Sequence, residues 1–173
     1  MANFNYDGVK RRDQFLQFIK LGEMENYTIL GVGSEEISLE YSAESNTYKW
    51  VTMKNGVTIT TGYELTSGVE QFVHTKDPLF PVIDKLRRAL ATDKATGSIL
   101  NVAVYLSEDE EPTTCPADEH DISIEFNTFG GSSDSPLTIG YTINYNGDPQ
   151  EGVATLDYEG KTATFAKKTN PEG

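Results

Sequence analysis

The sequence predicts a mainly β domain, two packed antiparallel sheets forming a sandwich or barrel, with one flanking α-helix. Three observations predict it. Several segments alternate apolar and polar residues with period two, one segment alone carries a convincing helical stripe, and Gly, Asn and Pro turns punctuate the chain at short intervals. A chain of 173 residues with 37% hydrophobic residues, including nine Tyr, eight Phe and one Trp, has the length for one domain and the side chains for a core.

Residues 1–13 hold Lys10, Arg11 and Arg12 with little apolar periodicity and read as an N-terminal arm. The β domain then spans 14–166. Phe15 to Leu21 is too short for periodicity to decide and is taken as a strand. Ile37, Leu39 and Tyr41 alternate with Glu36, Ser38, Glu40 and Ser42, the signature of a half-buried strand. Residues 43–47 read as a break, Tyr48 to Thr52 as a strand, and Asn55-Gly56 as a hairpin turn before the β-branched run Val57 to Thr61. Ser67-Gly68 reads as another turn, before a strand over Val69 to His74.

Asp77-Pro78 opens the helix, predicted over about 78–91. Asp77 is the expected N-cap, and Leu79, Val82, Ile83, Leu86 and Leu90 form the stripe, with Lys85, Arg87 and Arg88 toward the negative end of the helix dipole. A strand over Ser98 to Leu106 follows. Ser107 to Asp121 holds seven acidic residues and no Lys or Arg, and reads as a charged loop containing Cys115 and His120. Strands are then expected at Ile122 to Asn127, Leu137 to Tyr145, Gly152 to Tyr158 and Thr162 to Phe165, with 167–173 as a loose tail.

Composition narrows function. Lys and Arg number 14 against 27 Asp and Glu, a formal charge of −13, which opposes binding to phosphates or anionic lipid. The longest apolar runs, such as Val102 to Leu106, fall far short of the roughly 20 residues that span a bilayer. Met1 to Tyr6 lacks the apolar run of a secretory signal, so the chain is expected in the cytoplasm after synthesis.

Catalytic constellations are lacking too. His74 and His120 are far apart and match no metal-ligand spacing, and the lone Cys115 sits among acidic neighbours that disfavour a thiolate. Gly31-Val32-Gly33 and Gly130-Gly131 read as turn glycines, not phosphate cradles. Neither a metal nor a cofactor is expected. The feature that recurs is a polar, acidic strand face: Glu36, Ser38, Glu40 and Ser42 on one strand, and Asp121, Ser123, Glu125 and Asn127 on another. Such a face is either the ordinary wet side of a sandwich or a functional surface.

The order of these signals resembles the tail tube (major tail) proteins of long-tailed bacteriophages. Gly31-Val32-Gly33 leading into Glu36 to Ser42, then Tyr48 to Val51, Asp77-Pro78-Leu79-Phe80 with Ile83 to Arg87, and Tyr141 to Pro149 with Gly152-Val153-Ala154 carry the likeness, which covers about 22–165. The resemblance implies a non-enzymatic subunit of stacked hexameric rings, located in the virion tail and assembled in the host bacterial cytoplasm. Its partners would be other copies, a tape-measure protein and tail-end proteins, with DNA as passing cargo. Edge strands would be completed by neighbouring copies.

On this reading Glu36, Glu40, Asp121, Ser123, Glu125 and Asn127 line the lumen, whose carboxylates let phosphate pass without sticking. Tyr48, Trp50 and Val51 would lie on a loop or hairpin over 42–55 that reaches an adjacent ring, and Lys10, Arg11 and Arg12 would meet acid on a neighbour, such as Glu108 to Glu111. Four other readings stay open. The same fold serves the inner tube of a contractile tail or a phage-like bacteriocin. A monomeric β-sandwich binding module would use Tyr41, Trp50 and Tyr63 as a flat platform, and a hydrolase would use Glu36 or Glu125. Tyr48, Trp50 and Val51 also fit an intramolecular core.

Overall fold

A computed structural model describes residues 8–169, so the first seven residues of the expected arm and the last four of the expected tail lie outside the described residues. The strands are β1 (Phe15–Leu21), β2 (Tyr27–Ile29), β3 (Ile37–Tyr48), β4 (Val57–Phe72), β5 (Thr96–Ala103), β6 (Thr114–Gly130), β7 (Thr138–Asp157) and β8 (Thr162–Lys167), with one helix, α1 (Phe80–Arg88). Short 3-10 turns stand at Arg12–Gln14 and Val104–Leu106. The chain is mainly β and antiparallel with one flanking helix, as its alternation predicts.

The two layers come from one continuous sheet, in the order β3-β4-β7-β6-β5-β1-β2-β8, which curls until β8 pairs with β7. Strand β7 makes this possible because it is long enough to serve two partners on one edge. Thr138 to Asn144 pair with β4, and Gly152 to Asp157 pair with β8. Six strands therefore close into a barrel, and the β3–β4 hairpin extends from its side.

Alternation along the strands sorts the apolar residues into two cores. On one face of the sheet, Ile19, Leu21, Ile37, Val69, Ile99, Ile122, Ile124, Ile139, Tyr141 and Ile143 pack with Leu79 and Ile83 of the α1 region. On the other face, inside the barrel, Phe18, Tyr27, Leu100, Val102, Cys115, Ala117, Ala154, Leu156 and Ala163 form the second core. Neighbours such as Phe18 and Ile19 thus belong to different cores, as period two requires.

The helix is shorter than its stripe suggested. Leu79 occupies the N-cap position without a side-chain cap, and Asp77 acts two residues earlier. Asp77 is 4% exposed; its Oδ1 accepts from the Leu79 N–H at 2.9 Å and its Oδ2 from Gln71 Nε2 at 2.8 Å. The carboxylate ties the helix approach to β4 instead of capping the helix. At the other end Leu90 takes φ 49°, which turns the chain out of the helix and leaves that side chain exposed instead of on the stripe. Replacing Asp77→Ala strands two buried donors and is expected to lower stability by roughly 2 kcal/mol, read from the urea midpoint.

Three expected breaks are continuous strand. Residues 43–47 lie within β3, opposite β4. Ser67 and Gly68 lie within β4; Ser67 is wholly buried between Leu39 and Ile143, so packing overrides the turn propensity of the pair. Asn146 to Pro149 lie within β7, where the pairing with β6 shifts register and Gly147 takes φ 71°. Between β3 and β4 the connection covers eight residues, with Asn55-Gly56 at its end instead of forming a two-residue turn.

The acidic segment is a loop only as far as residue 113. From Thr114 it is strand β6, with Cys115 and Ala117 directed into the barrel. Cys115 is 1% exposed, and burial pushes its thiol pKa up, so it is an inert core residue, not one in an exposed loop. His120 is likewise a buried strand residue, its ring edge-on to Tyr145 at 5.0 Å, and burial pushes its pKa down. Glu119 turns inward yet has partners: the Tyr27 hydroxyl donates to it, and Lys167 lies 3.9 Å away.

Candidate functional site: an acidic face with two free edges

Four neighbouring strands, β3, β4, β7 and β6, bring the predicted polar residues onto one surface. The register sets Ser38, Gly68, Thr142 and Glu125 in one row across the sheet, and Glu40, Thr66, Asn144 and Ser123 in the next. The intervening rows, Ile37, Val69, Tyr141 and Phe126, then Leu39, Ser67, Ile143 and Ile124, turn to the helix-covered core. The two acidic segments found in the sequence share this face although β4 and β7 separate them.

All six candidates, Glu36, Glu40, Asp121, Ser123, Glu125 and Asn127, fall on this side by alternation. Asn127 sits at a β-bulge and donates through Nδ2 to Thr142 Oγ1 at 2.9 Å; Asn146 Nδ2 donates to Ser123 Oγ at 3.4 Å. Sequence reasoning missed Glu64 and Glu70, which β4 adds to the same face; its misread Ser67-Gly68 turn hid their alternation with the buried Ser67 and Val69. The face thus carries Glu36, Glu40, Glu44, Glu64, Glu70, Asp121 and Glu125, all exposed, and none is in an ion pair among the described residues.

Glu36 and Glu125 do not form a two-carboxylate pair: β6 and the strand that Glu36 leads into lie three spacings apart, roughly 14 Å, wider than the roughly 5–9.5 Å such chemistry uses. Nor do the aromatic residues make a platform. Tyr41 and Tyr63 meet edge to face at 89°, while Trp50 stacks on Tyr48 at the far end of the hairpin, 6.3 Å between centroids. No group of three or more His, Cys, Asp or Glu is placed to hold a metal ion among the described residues.

Among the described residues the same four strands end at two unpaired edges. β3 is the first strand of the sheet and has β4 on one side only. β6 pairs with β5 as far as Ser123, so among the described residues Phe126 to Gly130 have β7 on one side and no strand on the other. Counting across, β3 and β6 run in opposite directions because every pairing is antiparallel.

Beyond the sheet the hairpin carries its apolar side chains bare. Trp50 is 57% exposed, Val51 wholly so, and Tyr48, Val57 and Ile59 are exposed as well, which rules out the core alternative for the tip. A bulge between Glu44 and Ser45, where Thr61 is the extra residue, turns β4 over. Below it Tyr41 and Tyr63 continue the core face; above it Val57 and Ile59 join Tyr48 on the acidic side. Of the basic arm, Arg11 pairs with Asp13 at 3.1 Å, and Arg12 donates to two backbone carbonyls of its own chain.

No family model matches the chain, and no curated protein matches it. Solved structures do. A chain from the tail of an empty GTA particle, refined with C6 symmetry, aligns with TM-score 0.58 and 11% identity over 82% of this chain and 97% of its own. A chain of the six-fold symmetrised anti-feeding prophage baseplate gives 0.53 and 16% over 87% and 97%. One from the sheath/tube terminator of an extended extracellular contractile injection system, PVC, gives 0.52 and 10% over 82% and 95%. At these identities the likeness is one of fold, and the fold is that of tail tubes.

Proposed function

We propose that this chain is the structural subunit of a tail tube, and that its acidic face lines the bore. One observation carries the reading: the acidic face ends in two free edges of opposite direction. The β6 edge of one copy meets the β3 edge of the next as an antiparallel pair, keeping the acidic face on the same side of every copy. Joining copies this way removes both exposed edges. The sixfold symmetry described for two of the similar structures supports a ring of six.

Six copies of four strands make a barrel of about 24 strands, more than the roughly 16–18 at which barrels already enclose an aqueous channel. Seven face carboxylates per copy put about 42 around each ring of six. Phosphate is held by Lys and Arg, and the face has none within its four strands, so DNA slides through without adhering. The exposed tip, Tyr48, Trp50 and Val51, then seats on an adjacent ring, where buried aromatics dominate contact energies. The finished tube belongs to a virion-type tail assembled in the cytoplasm of a bacterial host, with a tape-measure protein in the bore and tail-end proteins at its termini. Structures of this fold come from a GTA tail and from contractile systems, and the proposal is for the tube subunit common to both.

Purified full-length protein should form hollow rings or tubes by negative-stain microscopy; a chain that stays monomeric at high concentration overturns the proposal. The double variant Glu36→Lys with Glu125→Lys should assemble normally but place about twelve cations in each ring. Particles built from it should deliver DNA at least tenfold less efficiently, and undiminished delivery removes the bore assignment.

A further inference from the structure

We infer that Arg12 is a displaceable guard on the β3 edge, holding the subunit monomeric until a neighbouring copy replaces it. The inference rests on the edge-to-edge ring proposed above. Its geometry comes from the direction of the backbone groups. The Phe72 N–H donates to Gly33 O, and Glu70 O accepts from Ser34 Oγ, so alternate residues of β4 from Glu70 to Phe72 point toward the β3 side. Val69, out of phase with them, points toward β7. Ile37 lies directly opposite Val69, so the Ile37 N–H and C=O point away from β4, along the free edge.

Arg12 occupies that edge. Its Nη2 donates to Ile37 O at 2.9 Å, its Nη1 to Phe15 O at 2.6 Å, and its guanidinium stands 5.4 Å from the centre of the Phe15 ring. The first outward acceptor of β3 is therefore satisfied by a charged side chain, while the outward groups of Leu39 and Tyr41 remain for a partner strand. Sheet proteins commonly protect an edge with a cation, because an unprotected edge pairs indiscriminately. Here the protected edge is the one that assembly consumes. Arg12 is exposed and its contact is correspondingly weak, so an incoming β6 segment can displace it.

The test follows assembly of full-length protein by light scattering from a monomer pool, with thermal melting as the check on folding. Arg12→Ala should assemble with a lag shortened roughly threefold, as expected for loss of a weak charged hydrogen bond. Arg12→Lys, which keeps the charge but loses the two-pronged fork, should fall between it and wild type. An Arg12→Ala protein that melts like wild type and assembles no faster overturns the inference. If that variant misfolds, Arg12→Lys decides: faster than wild type supports the guard, equal or slower overturns it. Tyr41→Pro separates the two readings. If wild type assembles and Tyr41→Pro does not, a negative Arg12 result removes the guard alone; if wild type itself stays monomeric, the ring proposal falls and the guard with it.

Discussion

A Tyr41→Pro protein is expected to fold, to melt within a few degrees of wild type, and to form no rings. Tyr41 lies two residues beyond Leu39 and four beyond Ile37, so its N–H also points out along the free edge of β3, where no strand among the described residues receives it. Proline removes that donor and places its ring where a partner strand must approach. Edge strands tolerate proline for the first reason and repel neighbours for the second. The side chain lost is 63% exposed, so the monomer forfeits little packing. Sedimentation velocity on the variant checks the monomer, and electron microscopy checks for rings; rings of normal size would show that β3 is not the seam.

Tyr141→Ala is expected to cost about 4 kcal/mol, the upper part of the range for deleting a large buried ring, and to lower Tm by roughly 8–16 °C. Tyr141 is wholly buried at the centre of the open sheet, with Val69 and Phe126 opposite it on the two neighbouring strands. Its ring meets Phe126 at 6.2 Å, and its hydroxyl donates to Gln71 Oε1 at 3.3 Å. Gln71 in turn donates to Asp77, which accepts from the backbone leading into α1. Removing the ring therefore opens a cavity and frees the buried amide that connects sheet to helix. Tyr141→Phe keeps the ring and should cost only about 1 kcal/mol, and calorimetry on both variants separates the two contributions.

Much of this was legible in the sequence wherever one face of a strand is buried and the other wet. Ile37, Leu39 and Tyr41 against Glu36, Ser38 and Glu40 give the strand, its core side and its acidic side at once, and Ile122 to Asn127 do the same. That the two segments share a face depends on two intervening strands, and on a register that no local pattern encodes. Residues 114–121 read as loop because charge normally excludes burial; there the barrel interior takes Cys115 and Ala117, the opposite face buries His120, and the half-buried Glu119 accepts from Tyr27 and lies near Lys167. β2 is three residues long, too brief for periodicity, and is held by pairing with β1 and β8 alone. The free edges were invisible, since an edge is defined by which strand is missing beside it.

The acidic stretch of sheet is four strands wide, an even number, and this bears on how many copies the proposed ring would hold. Up-and-down order is preserved at each junction whether five, six or seven subunits close the circle, so hydrogen bonding alone does not count them. In the proposed ring the count would follow from the tilt between one sheet and the next, at the junction where the β6 edge over Phe126 to Gly130 meets β3. On that proposal, a substitution at the junction would change the width of the bore without altering any residue that lines it.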